Sequence, residues 1–215
     1  MKKNLLWLFT ALLPLFAASC SINRSLYPVQ SERRVDGAML AGVWEGNAKA
    51  HADADAMLVK AVIRPGTGKD SLLVELELTP EDDEEQTDRI MPLAATIYEI
   101  DGVKFLNLAA DEDSLYRMIG KAGYSGKGVN RGLLHPWVFL FKIEFTADRI
   151  EIASVSFVEQ DERGKSGKSG KPRNPNARFD RSKGALLNSS AEIGAIVREK
   201  GYAATPLLTL NRVKK

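Results

Sequence analysis

This chain has little of what most site chemistry needs. It carries one cysteine and two histidines in 215 residues. A single cysteine, Cys20, cannot close an internal disulfide, so the fold must rest on its hydrophobic core. Two imidazoles, His51 and His135, leave a thin inventory for metal binding or acid–base catalysis. After the apolar run Leu5–Phe16 no second long apolar segment follows, so nothing later in the chain can span a bilayer as a helix. An excess of charge of one sign is missing too. Thirty Lys+Arg against 28 Asp+Glu give +2, and Lys2 and Lys3 account for both. The rest balances to zero, which argues against a dedicated nucleic-acid binder.

What is present begins at the N-terminus. Lys2 and Lys3 precede an apolar run broken only by Thr10 and Pro14, and Ala17, Ala18 and Ser19 lead into Cys20. The run is too short for a permanent span, and its flanks are those of a cleaved signal. The small-small-small-Cys ending resembles the lipobox of bacterial lipoproteins, with Ala17 where a Leu is usual. That resemblance implies a signal peptide over 1–19 and an acylated Cys20 as the first mature residue. An ordinary secretory signal with a chance cysteine is the alternative. Two or three acyl chains, at about 0.8 kcal/mol per buried CH₂, make a stable anchor. Ser21 is not Asp, and in a Gram-negative host the lipoprotein sorting rule would then favour the outer membrane, facing the periplasm.

Ser21 to Gly37 is polar and aperiodic, so 20–38 reads as the acylated residue plus a tether ahead of one domain, 39–215. Strand patterns follow: Gly42–Ala50, Met57–Arg64, the clean alternation Ser71–Thr79, Arg89–Ile100 and Val103–Leu108. Asp101-Gly102 is a hairpin signal. Asp111 to Gly120 suggests a short helix, and Gly120–Gly132 a glycine-rich loop. Trp137–Thr146 and Arg149–Val158 are strands, the second with a change of parity near Ala153-Ser154 that suggests a bulge. Ser189-Ser190-Ala191-Glu192 opens a helix to Lys200, and Thr205–Val213 closes the chain as a strand.

Gly42-Val43-Trp44 resembles the Gly-x-Trp signature of lipocalins, in which the Trp plugs the closed end of an eight-stranded barrel beneath an Arg. Arg212 is the candidate here, although it follows the helix where the family's Arg precedes it. Thr87-Asp88-Arg89 is a fragment of the family's second motif, placed too early. The chain from the Ser-capped helix to Leu210-Asn211-Arg212-Val213-Lys214 also resembles bacterial lipoproteins of unassigned function. The expected fold is mainly β: an antiparallel lipocalin-like barrel or a sandwich, with one short mid-chain helix and one C-terminal helix.

Candidate sites are few. His51, Asp53 and Asp55 alternate and would share one strand face, but three ligands on one strand diverge too far for a tight metal site. Gly164-Lys165-Ser166-Gly167-Lys168-Ser169 repeats the end of a phosphate loop, yet Glu159 and Glu162 stand where its first glycine belongs. His135 comes without a nucleophile signature, and Glu81–Glu85 is too crowded for a glycosidase pair. No catalytic set, cofactor site or metal site emerges, and the chain does not read as an enzyme. The segment 159–183 reads as a disordered basic loop. Its Arg163, Lys165, Lys168, Lys171, Arg173, Arg178, Arg181 and Lys183 are candidates for contact with an anionic surface or with Glu81–Glu85. The inward faces of Val103–Leu108 and Trp137–Phe145 are the best candidates to line a ligand cavity. Two functions are therefore expected as alternatives. One is a membrane-anchored envelope lipoprotein binding a small hydrophobic ligand or lipid. The other is a non-enzymatic scaffold contacting other envelope components through its loops.

Overall fold

The computed structural model describes residues 24–31, 33–49, 56–68, 70–80, 88–110, 138–159, 172–180 and 185–214. Eight long strands form one antiparallel barrel, which settles the choice between barrel and sandwich. They are β3 (Gly42–Lys49), β4 (Ala56–Pro65), β5 (Ser71–Pro80), β6 (Asp88–Ile100), β7 (Val103–Ala110), β8 (Val138–Phe145), β9 (Arg149–Ser156) and β12 (Ala203–Arg212). Six hairpin pairings run in sequence from β3 to β9, and β12 inserts between β9 and β3 to close the sheet. Closure removes the unpaired edges that an open sheet must protect.

The alternation expected for β5 is observed. Leu72 and Val74 are buried in the barrel core, while Glu75 on the other face pairs with Arg64 of the neighbouring strand at 2.8 Å. Asp101 (φ 50°) and Gly102 (φ 79°) make the two-residue turn that joins Ile100 to its partner Val103. Both positions need positive φ, which is why Asp-Gly is favoured there. In the β5–β6 ladder Leu76 pairs with Ile90 and Val74 with Leu93. Two β6 residues, Met91 and Pro92, thus oppose Glu75, and the bulge accommodates a proline that cannot donate to the ladder.

A second core lies outside the barrel. Phe105, Val138, Leu140 and Val155 project from the outer wall of β7, β8 and β9 and, with Phe157 just after β9, are buried beneath Ile193, Ile196 and Val197. Those three residues form one stripe of helix α1 (Ser190–Arg198). This explains the change of parity in β9. Its ladder to β8 is regular from Phe145–Ile150 to Phe141–Ser154, so the expected bulge is not on β9. The irregularity sits on β12, between Pro206 and Leu208. Ile150 and Ile152 belong to the barrel core, Val155 and Phe157 to the outer core; the buried side changes while the strand continues.

Much of the stretch expected to be a tether is folded. Short strand β1 (Arg24–Ser25) pairs with Phe139 and Val138, and β2 (Arg33–Arg34) pairs with Glu99 and Tyr98. Between them Val29 is fully buried. Asn107 holds it at both ends, accepting from its N–H at 3.0 Å and donating to its carbonyl at 2.9 Å. A chain with no apolar period can still be a strap, because strapping needs one anchor residue and one paired amide rather than a repeating face. The folded part of the chain therefore begins by Arg24, within the stretch expected to be a tether.

Of the basic segment 159–183, residues 172–180 are described and ordered into contacts. Pro172 bridges to Val158, and β10 (Phe179–Asp180) pairs with β11 (Ala185–Leu186), which lies parallel to β1. The mid-chain helix expected over Asp111–Gly120 lies outside the described residues; α1 is the one α-helix among those described.

The predicted cap of α1 is a full capping box. Ser189 Oγ accepts from the Glu192 N–H, and Glu192 accepts from the Ser189 N–H at 2.7 Å. Ser189→Ala should lower stability by about 1 kcal/mol, read from urea unfolding. The Ser189 N–H, the Ser189 hydroxyl (which also donates to Glu192, at 2.9 Å) and Arg178 together hold the Glu192 carboxyl below its ordinary range. Its folded value is depressed, so its contribution is present at neutral pH and is lost as the pH falls through that value. The gap in melting temperature between wild type and Glu192→Gln should accordingly narrow in acid.

Candidate functional site

The barrel has two unlike ends. At one, β4–β5, β6–β7 and β8–β9 are joined by tight turns; at the other lie the strand ends Lys49, Ala56, Pro80, Asp88, Ala110 and Val138 and the start of the excursion from β9 to β12. The tight-turn end is closed. A 3₁₀ turn, Ala38–Leu40, crosses beneath it and inserts Leu40 into the core. Trp44, fully buried, donates from Nε1 to the Leu40 carbonyl at 2.7 Å. The Arg212 guanidinium lies 4.2 Å from the centre of the Trp44 ring. Its Nε donates to the Ala147 carbonyl at 2.6 Å, its Nη1 to Ala41 at 2.9 Å, and its Nη2 to Met39.

The tripeptide then has a physical explanation. Gly42 has φ of 145°, and a Cβ there would stand 2.6 Å from Arg212 Nη1. The glycine thus serves two needs, a backbone conformation that L-residues avoid and room for the guanidinium. Arg212 reaches this position from the last strand, which returns to the closed end after α1. Chain order places it beyond the helix; the ladder places it beside Trp44, its register partner.

The lumen is apolar. It keeps a void of about 80 Å³, walled by aliphatic and aromatic side chains that include Ala61, Leu76, Leu108, Phe141, Ile152 and Leu210. At roughly 24 cal/mol per Å³ of cavity, such a void forgoes about 2 kcal/mol of packing that an apolar guest could recover. Of the segments expected to line a cavity, half of each does so. Leu106, Leu108, Phe141 and Ile143 face the void, whereas Phe105, Val138 and Leu140 lie in the outer core.

A second hollow was not legible in the sequence. The β7–β8 ladder runs from Leu108–Phe139 to Phe105–Lys142 and stops. Continued, it would pair Lys104 with Ile143 and Val103 with Glu144. Instead the strands part around an open cleft of about 430 Å³. Within it Lys142 and Glu144 pair at 2.7 Å, and Arg149 and Glu151 at 2.6 Å. The hydrogen bond to Lys142 holds the Glu144 carboxyl below its ordinary range, and the same bond raises the Lys142 ammonium. Lys104 Nζ sits 5.5 Å over the Phe145 ring. A ladder that ends early leaves no mark on hydrophobic alternation, which continues through both strands.

Two of the candidate surface cations can be placed. Arg173 donates from Nε to the Val158 carbonyl at 3.0 Å, and Arg178 pairs with Glu192 at 2.7 Å; both stay exposed while fixing local structure. Cys20, His51, Asp53, Asp55, Glu81–Glu85, His135, Arg163, Lys165, Lys168, Lys171, Arg181 and Lys183 lie outside the described residues. Among the described residues no three His, Cys, Asp or Glu side chains converge as a metal site would require. Comparison with protein-family models, with curated proteins and with solved structures finds no match.

Proposed function

We propose that this is a lipid-anchored envelope protein whose lipocalin-like barrel holds a small apolar molecule in its lumen. The observation that carries the reading is the void of about 80 Å³ whose wall, among the described residues, is hydrocarbon side chains. A space walled by hydrocarbon, without polar partners, favours an apolar occupant over water. The plug of Gly42, Trp44 and Arg212 supports the likeness to lipocalins, with α1 inserted before the last barrel strand as the main difference. The void is smaller than the roughly 150 Å³ that accommodates a benzene ring, so a longer guest requires the aliphatic walls to repack around it. That small size also favours a second reading, a nearly filled barrel acting as a scaffold.

Native mass spectrometry separates the two. The chain from Ser21 onward contains every described contact. Purified from bacteria, it should carry a reproducible added mass that extracts into organic solvent. A clean apo mass, with no uptake of offered fatty acids or phospholipids, would leave the scaffold.

The anchor gives the reading a direction. Cys20 lies four residues before Arg24, a reach of about 14 Å at most. β1 pairs with the first two residues of β8, at the end opposite Trp44. Acylation of Cys20 would hold that end at the lipid headgroups. Trp7 lies in the signal, which leaves Trp44 and Trp137 in the mature chain. In vesicles carrying a headgroup nitroxide, the acylated protein should be strongly quenched, and Trp137→Phe should remove most of that quenching. Equal quenching in the variant would sink this orientation.

A further inference from the structure

The cleft between β7 and β8, at about 430 Å³, has the volume of an ordinary small-molecule site, for which 300–1,000 Å³ is usual. Its charges do not cancel. Glu144 is taken by Lys142 and Glu151 by Arg149. Glu99, directly across the ladder from Lys104, is taken by Arg33 at 2.7 Å. Both carboxylates that line the cleft, and Glu99 across the ladder, are thus held by another cation, and no ion pair to Lys104 exists among the described residues. Beside this surplus positive charge the walls are apolar: Val103, Ile143 and Phe145. Ile143 also faces the lumen, so one side chain separates the cleft from the barrel interior.

We propose that this cleft binds a monoanionic amphiphile, with its carboxylate against the Lys104 ammonium and its hydrocarbon over Phe145 and Ile143. One surplus cation suits one negative charge, and the Phe145 face that now sits under the ammonium is the surface a tail would cover. The site goes beyond the luminal reading and requires neither an occupied lumen nor an acylated Cys20.

Octanoate and 1-octanol share a tail and differ in charge, so titrating both into the chain from Ser21 onward tests the site. Amide NMR should show octanoate shifting Lys104, Lys142 and Phe145. Octanoate should bind about tenfold tighter than octanol, as one charge-assisted contact allows. Lys104→Ala should equalise the two, and Lys104→Arg should keep the preference. Equal affinities in wild type, or a preference that survives Lys104→Ala, would overturn the proposal. Shifts confined to Ala61, Leu76 and Leu210 would overturn it as well, while leaving the luminal site standing. Shifts at the cleft alone would support the cleft and count against the lumen.

Discussion

Trp44→Ala should lower the unfolding free energy by about 3–5 kcal/mol, the range for removing a large buried aromatic. That is a large share of the 5–15 kcal/mol by which ordinary domains are stable. Three losses combine. The fully buried indole leaves a hole at the closed end, the Leu40 carbonyl loses the donor that fixes the 3₁₀ turn, and Arg212 loses the ring beneath it. Arg212→Lys should cost less, about 1–2 kcal/mol. An ammonium keeps the charge but cannot extend a planar fork to Met39, Ala41 and Ala147 at once. The two sites touch, so a double-mutant cycle in urea should give a coupling of about 1–2 kcal/mol. A Trp44→Ala loss under 1 kcal/mol would mean that the lower barrel packs without its plug.

The strands were largely legible because most are half-buried, and a half-buried strand shows its inner face in the sequence. β5 shows this best, with Leu72 and Val74 inside and Glu75 outside. The Asp101-Gly102 hairpin and the Ser189 cap were legible for a different reason. Each depends on backbone requirements that few residue types meet. What failed were features set by partners distant in sequence. The β9 parity change was misread as a bulge because α1, which buries its outer face, arrives some 35 residues later. The strap was misread because its anchor, Asn107, lies 78 residues from Val29.

The closed end was legible as three residues and illegible as a route. Gly42, Trp44 and Arg212 could be named together, but only the closure of β12 onto β3 brings the last strand back past the helix to the first. The β7–β8 cleft had no signal at all. Its surplus charge at Lys104 exists because Arg33, Lys142 and Arg149 occupy the neighbouring carboxylates, and no local window of sequence contains that arrangement.

The same seam predicts the sign of a substitution that is usually benign. Gly→Ala commonly stabilises a protein by about 0.4–1 kcal/mol, because alanine restricts the unfolded chain. At Gly46 the sign should reverse. A Cβ there would lie 1.9 Å from the Thr209 carbonyl oxygen and 3.1 Å from the Leu210 Cα. Both are backbone atoms of β12, so no rotamer change relieves the clash, and the strands that close the barrel must move apart. Gly46→Ala should therefore destabilise by about 3 kcal/mol, at the upper end of the usual overpacking cost. Gly102→Ala is the control. Its φ of 79° makes alanine strained, but nothing lies within 4 Å of the added carbon. That cost should be conformational alone, about 1 kcal/mol. Hydrogen exchange tells the two apart: Gly46→Ala should accelerate amides along β3 and β12, whereas Gly102→Ala should leave the seam protected. An open seam also exposes the apolar lumen, so the Gly46 variant should bind more of a dye such as anilinonaphthalene sulfonate than wild type does. A Gly46→Ala protein with unchanged melting temperature would show that β3 and β12 have slack between them at this point of the ladder.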